Sequence, residues 1–545
     1  MSPPARVANF IARIEAAERR GDHAQAITLA VDALKVGDRG PLVLTLVAEA
    51  LEAQGRRAEA LGLLQRVIAA RPGDAQARFR LGRLLFALDR REEARAAFEG
   101  GLAIAPDDYR GLIDAGTACL RLADVPAATG FFQRASDLSP EAAEPLSALA
   151  VTAGLAGDPS EARTMATRAL ALDPSLISAR IALARAEMAD GAPGLAVTGL
   201  NALLIRTDLT DPQRVDAHDL RAEGLDALDR STEAFADYTA RNEALRRVHA
   251  PAFATASESH FARAARLAAW FEAGPMDPWR RSPDPDAVGA RAAGRHVFLV
   301  GFPRSGTTLL EKVLASHPGI VTLEEMDVLG AVSGALLATD DGLGRLASLT
   351  TTQAQPIRQA YWRDVQAALG EPIGGRIFVD KLPLHTPALP LIAKVFPDAR
   401  ILFAVRDPRD VVFSCFRRRF RVNAAMFEFL GLENAARYYD AVMRLAAIYR
   451  ECLPLAFHEV RHEALVADFE GEVRHVLAFI GAPWDPAVHD FPALARESNK
   501  TPSAPQVARG LNTDGIAQWR RYRTELAPVA PILAPWVERF GYDEG

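Results

Sequence analysis

The chain has 545 residues, 49% apolar and 24% charged, with a formal net charge of −6. That length exceeds one domain, the composition is that of ordinary globular protein, and the charge supplies no basic field for nucleic acid. Three cysteines far apart without metal or redox spacing, and no apolar run of about 18 residues, set the expectation of a cytoplasmic chain with no metal, no disulfide framework and no membrane span.

From the N-terminus the first element is a repeat. Shifted by 34 residues, the first half falls on itself. Ala26, Ala60, Ala94, Ala128, Ala162 and Ala196 form one column, and Gly21, Gly55, Asp89, Ala123, Gly157 and Gly191 form a turn column five residues earlier. Pro72, Pro106, Pro140 and Pro174 form a third column, and the small residues Ala48, Gly82, Gly116, Ala150 and Ala184 a fourth. A helix–turn–helix unit of this period is the tetratricopeptide (TPR) pattern. Small residues let its two helices approach, the turn column tolerates left-handed backbone, and Pro separates the units. A further unit around Leu225 to Ala244 follows an insertion of four residues, Ala234 lying 38 after Ala196. An α-helical solenoid over residues 1–250 is predicted, with a concave groove that takes a protein or peptide partner.

Phe261 to Phe271 reads as a helix, and Pro275, Pro278, Pro283 and Pro285 then mark a linker. Residues 251–290 are expected to connect the array to a second domain over 291–545. There, apolar strands at 297–300, 377–379 and 401–405 alternate with long helical stretches, which predicts an α/β parallel sheet with its ligands at the strand C-terminal ends.

Gly301-Phe302-Pro303-Arg304-Ser305-Gly306-Thr307-Thr308 follows the first strand. The two glycines have the Walker spacing and Thr308 holds the hydroxyl position, but Thr307 stands where a nucleoside-triphosphate enzyme needs Lys. Strand, Gly-rich turn and helix N-terminus make a P-loop-like cradle of backbone N–H groups for an anion. Without the Walker Lys the ligand is a phosphate ester other than a triphosphate, with Arg304 as a cation inside the loop. A P-loop kinase with an unusual loop, or a repeat scaffold with an inactive second half, remain alternatives at this stage.

The Pro-Arg-Ser-Gly-Thr-Thr loop resembles the 5′-phosphosulfate loop of sulfotransferases, whose donor is 3′-phosphoadenosine 5′-phosphosulfate (PAPS). A second block, Arg406-Asp407-Pro408-Arg409-Asp410, follows the strand Ile401 to Val405, with Ser414 eight and Arg418 twelve residues after Arg406. In that family such an Arg and Ser bind the 3′-phosphate. Finer spacing is similar to the tyrosylprotein sulfotransferases. Arg304 stands where they have Arg, His317-Pro318 precedes Glu324-Glu325, Lys381 lies 25 residues before Arg406, and Ser503, Gln506, Val507 and Trp519 follow.

The resemblance implies that Glu325 is the base and that Arg304, Lys381 and Ser503 stabilise the sulfuryl group. It implies that Ser305, Gly306, Thr307 and Thr308 hold the 5′-phosphate, and that Arg406, Ser414 and Arg418 hold the 3′-phosphate, with no metal. Two positions depart from the family pattern, His462 where it has Tyr and Gln518 where it has a basic residue. His462 can still stack on the nucleotide or donate a hydrogen bond. The acceptor implied is the tyrosine of a protein or peptide, with a sugar or small-molecule hydroxyl as the alternative.

Overall fold

The computed structural model describes residues 3–253, 258–274, 277–280, 295–497 and 504–543. Contacts divide the chain into two compact units, residues 1–209 with 223–228, and residues 210–222 with 229–545. The divisions expected at 250 and 291 therefore fall inside the second unit.

In the first unit, twelve helices from Pro3–Arg19 to Pro193–Leu204 follow one another as pairs. The alanine column is buried throughout, at 2% exposure or less. The small column is explained by what stands opposite it. A Cβ on Gly82 would lie 2.5 Å from the Phe98 ring, and one on Gly116 2.5 Å from the Phe132 ring. Where the opposing residue is Leu64 or Ala166, the small position is Ala48 or Ala150. The column residue is thus glycine only where the opposing side chain is a ring, as close packing requires.

Every member of the turn column has left-handed backbone, including Asp89 (φ 59°) and Ala123 (φ 61°). Asp22, Asp124 and Asp158 then cap the second helix of their pairs through a side-chain oxygen, satisfying one orphan amide each. Because an L-residue is strained in this region, Ala123→Gly is expected to raise stability by about 0.5–1 kcal/mol. Urea unfolding of the full chain measures it, and a lower midpoint for the variant would refute the strain.

The second unit is built on a five-stranded parallel sheet, β1 (Arg295–Gly301), β2 (Ile320–Glu324), β3 (Ile377–Lys381), β4 (Arg400–Val405) and β5 (Ala456–Arg461), in the order β2-β3-β1-β4-β5. The three strands expected from apolar runs are the central ones. The edges β2 and β5 were not anticipated, because half-covered strands carry polar residues such as Thr322, His458 and Glu459 within them. On one face, Val297, Leu299, Val379, Leu402 and Val460 pack with Leu310, Val313 and Leu314 of the helix Thr307–Ala315 and with Val473 and Leu477 of Phe469–Ile480. On the other, Phe298 and Phe378 meet His296, Tyr361, Trp362 and Phe396.

The helix Ser231–Phe253 belongs to this unit. Its Arg241, 0% exposed, donates to the Phe416 carbonyl at 2.9 Å, the Arg417 carbonyl at 2.8 Å and Asp219 at 2.5 Å. Arg241 thereby caps the end of the helix Pro408–Arg417 that carries Ser414. The three cysteines are buried, and none is in a disulfide. Among the described residues no cluster of His, Cys, Asp and Glu could hold a metal, and no helix is long and apolar enough to cross a membrane.

Candidate functional site

β1 ends at Gly301, where a Cβ would lie 2.7 Å from the Ala404 carbonyl oxygen of the neighbouring strand. Thr386 pins this end, donating to the Gly301 carbonyl at 2.7 Å and accepting from its amide at 3.2 Å. The loop then turns through left-handed backbone at Arg304 (φ 72°) and Gly306 (φ 91°). Gly306 is the N-cap of the helix Thr307–Ala315 and offers no capping side chain. The first amides of that helix are left for an anion, with the positive end of the helix dipole behind them.

Three guanidinium groups converge on this turn. Arg304 Nε donates to Ser414 Oγ at 2.9 Å, and Arg406 donates to the Arg304 carbonyl at 3.1 Å and to the Gly515 carbonyl. Burial, then the charges of Arg418 and Arg406, lower the Arg304 pKa to about 9. Such crowding of like charge is relieved by a multiply charged anion. Burial, with Arg406 and Arg304 adding, also lowers the His462 pKa to about 3, so the imidazole is neutral at pH 7. A Cβ on Gly306 would lie 2.7 Å from His462 Nδ1. His462 Nδ1 and Arg406 Nε are both buried polar atoms without a hydrogen-bond partner among the described residues. Both residues line a pocket completed by Arg304, Gly306, Thr308, Gln506 and Asn512. Orphaned polar atoms around a pocket fit a polar ligand rather than a dry cavity.

The C-terminal segment closes this pocket. Asp410 accepts from the amides of Ala517 at 2.7 Å and Trp519 at 2.9 Å, and the Arg409 guanidinium stacks 3.7 Å from the Trp519 ring centre. Burial outweighs Arg406 and raises the Asp410 pKa from 3.8 to about 6. A carboxyl whose pKa is raised by folding leaves the native state binding more protons, so its contribution to stability falls as pH rises through that window. Relative to Asp410→Asn, the native protein should lose about 2–3 kcal/mol between pH 4 and 7. Parallel urea titrations of the two proteins across that range test it, and a pH-independent difference would refute it.

A second pocket shares Arg304, Gly306 and Thr308 with the first. Its other walls are Pro303, Thr307, Glu325, Leu382, Pro383, Leu384, Phe420 and Met426. Glu325 follows β2 and has left-handed backbone at φ 51°. Its amide donates to the Lys381 carbonyl at 2.9 Å, and its carboxylate takes the Lys381 ammonium at 2.8 Å. Parallel register pairs Glu324 with Lys381 at the last rung of β2 and β3. The strand ends thus deliver a carboxylate, a lysine and an anion cradle to one edge of the sheet.

The residues expected from sequence are distributed as follows. Arg304, Gly306, Thr307, Thr308 and Glu325 line the second pocket, and Arg406 and His462 join Arg304, Gly306 and Thr308 in the first. Ser305 is buried in the loop, its amide donating to the Phe302 carbonyl at 3.2 Å. Ser414 stands behind Arg304, and Arg418 caps the helix Pro408–Arg417 while its charge reaches Arg304. Ser503 lies outside the described residues. Sequence reasoning missed the apolar walls Leu382, Leu384, Phe420 and Met426, which carry no motif. For Leu382 and Leu384, adjacency to Lys381 was the available signal.

Comparison with known proteins agrees with this architecture. Residues 296–486 match the profile described as the Sulfotransferase family, and residues 11–75 and 51–115 match tetratricopeptide repeat profiles. A protein-tyrosine sulfotransferase 1 of Danio rerio is 27% identical over 261 residues, 45% of this chain and 72% of its own length. A protein-tyrosine sulfotransferase of Drosophila melanogaster is 26% identical over 267 residues, 45% of this chain and 51% of its own. An uncharacterized protein of Aquifex aeolicus (strain VF5) is 27% identical over 250 residues, 44% of this chain and 32% of its own. This chain therefore spans only part of each relative.

Proposed function

We propose that this chain, which joins tetratricopeptide repeats to a sulfotransferase-family domain, transfers the sulfuryl group of PAPS to a phenolic hydroxyl, the tyrosine of a protein or peptide. The observation that carries the reading is the shared wall. One pocket collects Arg406 and His462, the other holds Glu325, and Arg304, Gly306 and Thr308 stand between them. A group moving from one pocket to the other crosses the helix N-terminus and Arg304.

In this reading the 5′-phosphosulfate lies on the amides of Gly306, Thr307 and Thr308, with the Ser305 amide bonded within the loop to the Phe302 carbonyl, and Arg406 and Ser414 hold the 3′-phosphate. Arg418 adds positive charge nearby. The acceptor oxygen attacks sulfur, its proton passes to Glu325, and the bond from sulfur to the 5′-phosphate oxygen breaks to release 3′-phosphoadenosine 5′-phosphate. Lys381 and Arg304 supply fixed positive charge where negative charge develops. Leu382, Leu384, Phe420 and Met426 favour an aromatic acceptor over a sugar, because an apolar slot leaves carbohydrate hydroxyls unpaired. The repeat array is proposed to hold the protein that carries the tyrosine. Incubation with sulfur-labelled PAPS and matched tyrosyl peptides, phenols and glycans tests the reading. Label on glycans alone would overturn the phenolic acceptor, and no transfer to any hydroxyl would overturn the activity.

A further inference from the structure

Below Glu325 runs a row of alternating charges that neither pocket exposes. Lys381 Nζ lies 2.8 Å from Glu325 and 3.6 Å from Glu324 Oε1. Glu324 Oε2 takes Lys312 Nζ at 3.0 Å, Lys312 meets Glu311 at 3.2 Å, and Glu311 accepts from Thr322 Oγ1 at 2.5 Å. The side chains of Lys381, Glu324, Lys312 and Glu311 are all at most 7% exposed. Fold geometry explains the row. Thr322 and Glu324 alternate along β2, and Lys381 pairs with Glu324 across the sheet. The helix Thr307–Ala315 covers this sheet face and brings Glu311 and Lys312 onto it.

We propose that Lys312 is a positioning residue for sulfuryl transfer: by holding Glu324 from the helix side, it keeps the Lys381 ammonium on Glu325 at the acceptor pocket. The inference rests on the reading of Glu325 and Lys381 given above. A buried carboxylate needs a cation, since an unpaired one costs several kcal/mol. Among the described residues two lysines reach Glu324, and the distances rank them, Lys312 at 3.0 Å and Lys381 at 3.6 Å. Burial opposes the Lys312 charge, but Glu311 and Glu324 outweigh it and raise its pKa, so the lysine stays charged across the neutral range. Without that charge, Glu324 competes for Lys381, and a movement of less than about 1 Å transfers the ammonium from one carboxylate to the other. Displacements of that size are enough to disturb a reacting geometry.

Lys312→Met in the full chain is expected to lower kcat on a tyrosyl peptide by about 10–100-fold. KM and the affinity for 3′-phosphoadenosine 5′-phosphate should stay as in the native protein. Its crystal structure should show Lys381 bonded to Glu324 and no longer to Glu325. Lys312→Arg should retain activity, and Lys312→Met with Glu324→Gln should regain it, because a neutral Glu324 position no longer competes. A purely structural Lys312 predicts a lower Tm with native kcat below it, and that result would overturn the proposal. So would a crystal structure of the Met variant with the Lys381–Glu325 bond intact. If the single variant does not fold, a folded but inactive double variant would overturn it as well. Native protein that transfers no sulfuryl group would refute the functional reading alone, while the Lys381 displacement still decides this inference.

Discussion

Glu325→Gln is expected to lower turnover by about 10²–10⁴-fold while leaving donor-product binding unchanged. Glu325 is the carboxylate in the wall of the second pocket, and the Lys381 ammonium 2.8 Å away fixes its orientation. Gln keeps the shape and one acceptor oxygen but cannot take the phenolic proton. Glu324→Gln should change turnover far less, because Glu324 is 7% exposed and faces Lys312 and Lys381 rather than the pocket. Single-turnover kinetics with saturating PAPS isolate the chemical step from product release. A dead Glu324 variant beside an active Glu325 variant would reverse the two roles.

Arg406→Ala should weaken binding of 3′-phosphoadenosine 5′-phosphate by about 1.5–3 kcal/mol, the range of a charge-assisted hydrogen bond. The loss should be smaller for adenosine 5′-phosphate, which lacks the 3′-phosphate. Arg406 also donates to the carbonyls of Arg304 and Gly515, so part of the loss will come from a looser loop. Calorimetry with both nucleotides separates the two contributions. Equal losses for both would mean that Arg406 is a scaffold for Arg304 and holds no 3′-phosphate.

Much of this arrangement was legible before folding because it is periodic or strand-linked. The alanine column repeats at a fixed interval and is buried in every unit. Arg304, Lys381 and Arg406 sit at or just beyond the ends of apolar strands, where parallel sheets gather their ligands. Glu311 and Lys312 were not legible. In a linear reading they are two charged residues in a helix, indistinguishable from a solvated face, and only the pairing of β2 with β3 under that helix places Thr322, Glu324 and Lys381 beneath them. Arg241 was hidden for a related reason. Its partners Phe416 and Arg417 lie some 175 residues away, and nothing in its own repeat marks it. Glu325 is reached from the sequence only through the resemblance, which does not tell that Glu324 ends β2 and Glu325 turns out of it. A five-residue edge strand with a Thr at its centre carries too little pattern to reveal that.

The left-handed backbone at Arg304 and the crowding of its guanidinium with Arg406 and Arg418 bear on how long a molecule survives. Left-handed backbone at a residue other than glycine costs about 1–2 kcal/mol, and like charges held together add to it. A bound polyanion offsets the second of these, and a ligand present at about 100 times its Kd adds about 2.7 kcal/mol to the folded state. With the donor proposed above, resistance to proteolysis should then track the supply of activated sulfate. A cell short of the donor would hold this protein in its most easily degraded form, so that abundance as well as flux would follow sulfur status.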